Sequence, residues 1–176
     1  MKKNATLLIQ LLLIVLSTSG QNRYYISGNT KSHNDTFEII QVDTIKDNMI
    51  VGNFGRSDLY CGERYEFDRY FKFTQSHYCC IYDSIIHNGQ WLVENNNTIV
   101  LKSNNKLFRF NLFRLRGFYF LVPENQSPIF ISDAREIFSA LNNKKAFRKE
   151  VVYRKNWLLS LQLSFKYFKG TITEGT

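Results

Sequence analysis

Between residues 65 and 73 the odd positions carry Tyr65, Phe67, Phe71 and Phe73, while Glu66, Asp68, Tyr70 and Lys72 stand between them. Side chains on a strand point alternately to opposite faces, so this spacing puts aromatic rings on one side and polar groups on the other. A helix would scatter the same residues around its circumference. The pattern recurs at 106–112, where Phe108, Phe110 and Leu112 oppose Arg109 and Asn111. It is cleanest at 159–167, where Leu159, Leu161, Leu163, Phe165 and Tyr167 alternate with Ser160, Gln162, Ser164 and Lys166. Period two over most of the chain predicts a mainly β fold, an antiparallel meander closing into a barrel or sandwich of roughly eight to ten strands. With 15 Phe, 10 Tyr and 2 Trp against 2 Pro in 176 residues, such a sheet has ample apolar surface to bury.

Punctuation between the runs sets the expected elements. Residues 36–42 and 48–54 read as a first hairpin around 43–47, followed by a turn-rich loop at 55–62. The β-rich run 79–86 ends in the turn signal His87, Asn88, Gly89. Residues 90–94 and 98–103 flank Asn95, Asn96 and Asn97, which tolerate left-handed backbone and suit a tight turn. A further strand is expected at 117–122, and Pro123 and Pro128 bracket a polar loop. Ser132 resembles a helix N-cap, and Ala134, Ile137, Phe138 and Leu141 follow at helical spacing, so the single helix expected runs over 132–143. The basic stretch 144–156 carries neither period clearly.

Residues 1–20 open with Lys2 and Lys3, continue through an apolar run from Leu7 to Leu16, and end in Ser17, Thr18, Ser19 and Gly20. That is the three-part layout of a signal peptide, too short in its apolar part for a membrane span of ~20 residues. Removal would leave one β-rich domain over 21–176, without a transmembrane helix, secreted or periplasmic. The net charge of +8 would fall to +6 with the two lysines lost. The remaining charge is polarised. Residues 21–100 hold seven Lys/Arg against ten Asp/Glu, and 101–176 hold fourteen against five. A basic half in an exported chain points to an anionic partner, and nucleic acid is excluded by compartment and by the lack of a recognition motif.

The chain has no nucleophile elbow, no phosphate-binding glycine loop and no metalloprotease histidine pair, so neither a catalytic set nor a cofactor is expected. His33, His77 and His87 fall among turns; His77 and Cys79 share a strand face and, with Cys61 or His87, form the nearest approach to a metal set. Glu66 and Asp68 are the carboxylate pair that a hydrolase could use. Cys61, Cys79 and Cys80 leave an odd count, and the neighbours 79 and 80 face opposite ways, so only one can meet Cys61. Were 64–74 a single strand, Cys61 and Cys79 would lie roughly 35 Å apart. A turn at Asp68, Arg69 and Tyr70 instead makes paired numbers sum to about 138 at strand register, placing Cys61 opposite His77 and within reach of Cys79. The bridge is the expectation.

The segment 65–101 joins an aromatic strand pair, a loop, Gly89-Gln90-Trp91, an asparagine turn and Thr98-Ile99-Val100-Leu101. It resembles the small exported lipocalin-like β-meander proteins of bacteria, and the resemblance implies that Trp91 closes one end of a barrel or stacks on a small apolar ligand. A true lipocalin carries Gly-x-Trp on its first strand, whereas Trp91 stands mid-chain, which argues against an eight-stranded ligand cup. Arg109, Arg114 and Arg116, with Lys102 and Lys106, make the densest basic set; Arg109 joins the face of the other two arginines only across a bulge between 111 and 114. The expected function is a non-catalytic exported binding protein for an anionic partner or a small apolar ligand. A small outer-membrane barrel and a carboxylate hydrolase are the alternatives.

Overall fold

The computed structural model describes residues 23–30, 33–57, 60–79, 82–115, 117–143 and 151–170; the segment 1–20 expected to be a signal peptide, Cys80 and Arg116 lie outside them. Ten strands stand among the described residues: β1 (Arg23–Thr30), β2 (His33–Gln41), β3 (Gly52–Ser57), β4 (Cys61–Phe67), β5 (Lys72–Cys79), β6 (Tyr82–Glu94), β7 (Thr98–Ser103), β8 (Lys106–Leu115), β9 (Phe118–Pro123) and β10 (Phe168–Gly170). Two helices, α1 (Ser127–Asn143) and α2 (Val151–Ser164), separate β9 from β10. Strands β3 to β9 form an antiparallel meander, and β10 pairs with both β3 and β9 to close an eight-stranded barrel. The remaining pair, β1 and β2, attaches to the edge of β8 at Ile40 and Gln41.

The alternation read from the sequence decides what faces inward. Phe54, Tyr65, Phe67, Phe73, Trp91 and Phe110 point into the barrel with Ile99, Leu101, Leu112, Leu121 and Phe168, all buried. Tyr65 meets Phe168 at 4.6 Å and Phe110 at 5.6 Å between ring centroids, and Phe67 stands edge-on to Trp91 at 6.1 Å. Rings fill the interior, so the barrel is a core and not a cup. The next residues along β8 and β9 face outward and are apolar as well. Phe113, Leu115, Phe120 and Val122 make a second core with Ile39 and the two helices. Away from that helical cover the outward positions carry Arg64, Glu66, Lys72, Gln90, Lys102 and Arg109, a polarity opposite to that of a membrane barrel.

Several expected elements are corrected. Residues 36–42 and 48–54 are not partners: β2 pairs with β1 and β8, and β3 pairs with β4 and β10. Their short connection passes Ile45 and Ile50 into the barrel core instead, with Ile45 N–H donating to Asn96 O at 2.7 Å. His87, Asn88 and Gly89 form no turn but lie within the 13-residue β6. Gly89 is required there by close approach, since a Cβ would stand 1.9 Å from the Lys102 carbonyl oxygen. The helix begins at Ser127 and not at Ser132: Pro128 suits its first turn, and the Ser127 hydroxyl accepts from Asn111 Nδ2 at 2.9 Å, pinning the helix start to β8.

The alternating run at 159–167 is not a strand. Residues through Ser164 belong to α2, which buries Leu159 and Leu163, four apart, with Ser160 turned back to the Trp157 carbonyl at 2.9 Å. Leu159 and Leu163, at i and i+4, share a face in a helix as well as in a strand, and leucine's helix preference decides once an apolar sheet face is available to cover. Phe130 locks this arrangement, lying 4.9 Å from Phe113, 5.4 Å from Phe120 and 4.9 Å from Tyr167. Phe130→Ala should therefore cost about 3–5 kcal/mol in urea unfolding, as a buried aromatic truncation does; a loss below about 1 kcal/mol would mean that the helices do not depend on this contact.

Candidate functional site

The turn at 68–71 sets the site. Asp68 Oδ1 accepts the backbone N–H groups of Tyr70 and Lys72 at 2.9 and 2.8 Å, and Phe71 takes a left-handed conformation at φ 61°. β4 and β5 consequently pair from Phe67↔Phe73 to Cys61↔Cys79, and paired numbers sum to 140, two residues beyond the expected register. Cys61 therefore faces Cys79 directly, and the two form a disulfide with Cα atoms 4.3 Å apart. Glu63 faces His77 on the same ladder. Because 61, 63, 77 and 79 share the parity of the inward-facing Tyr65 and Phe73, these four side chains stand on one face, just beyond the packed interior.

A cleft of 170 Å³ opens at this rim, lined by Arg56, Ser57, Cys61, Gly62, Glu63, His77 and Phe165. Glu63 anchors its floor, receiving Arg56 Nη2 at 3.0 Å and Gln75 Nε2 at 3.3 Å. The Arg56 guanidinium lies over the Phe168 ring at 4.7 Å, which ties the rim to β10. Beneath it burial pushes the Tyr65 phenol well above its ordinary range; the Glu63 charge adds to the shift and Arg56 opposes it. Tyr167 is raised in the same direction by burial and by donating to Asp133 Oδ2 at 2.8 Å.

The other candidate residues are dispersed. Trp91 is 2% exposed, donates Nε1–H to the Asp68 carbonyl at 3.2 Å, and packs under Phe71 at 5.0 Å, so no ring face is open to a ligand. β8 pairs with β7 and β9 without a register shift, so no bulge intervenes, and Arg109 and Arg114 project from opposite faces. Arg109 is engaged by Glu94 at 2.6 Å, a contact between the basic and acidic halves of the chain. Lys72 and Lys102 share the outer face with Arg64 and Arg109, and these two lysines are aligned through Gln90 on adjacent strands. Register alone joins them, and sequence spacing gave no sign of it.

Glu66 and Asp68 line a separate cleft of 480 Å³ with Asn53, Lys72 and Thr74, but both are committed. Glu66 pairs with Arg64 at 3.0 Å, and Asp68 holds the turn through its two backbone contacts. Among the described residues the metal-ligating types gather only at Cys61, His77 and Cys79, whose ligand atoms lie within 4.8 Å of one another. His87 stands apart, beside Phe108 at 5.2 Å.

Two measurements follow from this geometry. The bridge closes an 18-residue separation, so Cys61→Ser with Cys79→Ser should lower unfolding stability by about 3 kcal/mol in urea, and an unchanged midpoint would contradict the bridge. The raised Tyr65 phenol contributes stability fully present below its unfolded value of ~10 and lost as pH climbs toward the folded value. Tyr65→Phe should consequently flatten the fall of the unfolding midpoint between about pH 9 and about pH 11; an equally steep fall in the variant would assign it elsewhere.

No family model matches this chain, and no match was found among the curated proteins or among the solved structures.

Proposed function

We propose that this chain is an exported, non-catalytic binding protein that engages an anionic partner on the outside of its barrel. The observation that carries the reading is the filled interior. A lipocalin-like protein with Trp91, Phe67 and Tyr65 packed against one another offers no internal cup, so contacts with a partner fall on the outer surface. Lys72 and Lys102 stand two strands apart on that surface, about 10 Å at sheet spacing. Such spacing suits successive charges on an anionic polymer or a lipid surface.

The committed state of Glu66 and Asp68 argues against the hydrolase alternative. An outer-membrane barrel needs an apolar outward band, and Arg64, Glu66, Lys72 and Lys102 interrupt any such band here. Retention of the purified protein on heparin at low salt tests the reading. Lys72→Ser with Lys102→Ser should elute at clearly lower salt, whereas Arg114→Ser, on the other face of β8, should elute as the parent does. Identical elution of the double variant and the parent, or saturable uptake of a fluorescent fatty acid into the barrel, would sink it.

A further inference from the structure

We propose that Cys61, His77 and Cys79 form a redox-gated metal site, closed as a disulfide and able to bind a zinc-type ion when the bridge is reduced. The inference goes beyond the binding surface proposed above and lies at a different place, the rim where β4 and β5 leave the barrel. A bridge that served only to staple the strands would need no third donor. Here His77 stands two residues from Cys79 on the same face, and the two sulfurs and an imidazole nitrogen all fall within 4.8 Å. All three residues are partly exposed, so a reductant and an ion can reach them.

The geometry asks for a small change. A tetrahedral zinc ion holds sulfur at about 2.3 Å and nitrogen at about 2.0–2.1 Å, which separates neighbouring ligand atoms by about 3.5–3.8 Å. The sulfurs, bonded to each other in the disulfide, must part to that spacing, a shift that side-chain rotation supplies with the ladder intact. The donor set of two thiolates and an imidazole suits zinc, cobalt or copper rather than magnesium or calcium. Three protein ligands leave one position open toward the cleft, whose wall is Glu63 and Ser57.

The redox step balances with a dithiol reductant. Its two thiols supply two electrons and two protons and become a cyclic disulfide, while the Cys61–Cys79 bond breaks to give two thiols. The ion then displaces both thiol protons to solvent and takes the lone pair of a neutral His77 nitrogen.

Cobalt(II) titration of the purified protein carrying Cys80→Ser tests this, since a thiolate–cobalt charge-transfer band reports the ligands directly. The reduced protein should bind one equivalent with that band, zinc should displace it, and the oxidised protein should bind more than about tenfold more weakly. His77→Ala, which leaves the disulfide free to form during folding, should keep a thiolate band yet weaken binding by more than about tenfold. Equal cobalt affinity in the two redox states, absence of the thiolate band, or unchanged affinity in His77→Ala would overturn the proposal. So would a loss of the tryptophan near-ultraviolet signal on reduction that metal does not restore.

Discussion

Three residues hold the molecule closed. β10 spans only Phe168 to Gly170, yet it pairs with β9 on one side and β3 on the other, and without it the meander would remain an open sheet with two long edges. Each of its residues is suited to that place. Phe168 enters the aromatic core against Tyr65, Lys169 lays its ammonium over the Phe118 ring at 4.0 Å, and Gly170 leaves room for the Phe54 ring that a Cβ would strike at 2.6 Å. Because β10 follows two helices, its place between β3 and β9 depends on where those helices pack. Phe130 and the Asp133 contacts to Tyr167 and Lys166 hold the chain that leads into β10.

That dependence explains why apolar residues occupy both faces of β8 and β9. Leu112 and Leu121 point into the barrel, and Phe113 and Phe120 point out to the helices, so the two cores share a wall one strand thick. Among the described residues no helix covers the opposite wall, β4 to β6, whose outward positions include Arg64, Glu66, Lys72 and Gln90. This wall also extends past the barrel: β6 pairs with β5 from Tyr82 to Gln90, with a bulge at Ile86, and β7 begins to pair only at Gln90. The disulfide lies at the far end of this extension, where it holds β4 and β5 together beyond the reach of the core.

The pairing of β4 with β5 shows how far spacing alone can go. A turn near Asp68 was legible because an acidic residue can accept N–H groups from the residues that follow it, and that was enough to bring Cys61 toward Cys79. The two-residue difference in register came from the turn's length, set by Phe71 adopting a left-handed conformation that its residue type does not announce. The run at 159–167 shows the opposite case. Its alternation was real, but the apolar face of β8 and β9 offered the leucines a helical packing that no local pattern could reveal.

The sequence by itself determined that the chain is mainly β, which side of most strands is apolar, where the asparagine turn between β6 and β7 lies, and that the charge is polarised. These follow from alternation and turn chemistry, properties of neighbouring residues. Tertiary structure decided the rest: that the barrel is filled, that Lys72 and Lys102 align while Arg109 and Arg114 diverge, and that Cys61 faces Cys79 directly with Glu63 opposite His77. Each of those depends on strand register and on which strands become neighbours. Register is set by the fit of whole faces across long stretches of chain, and a local pattern does not carry it.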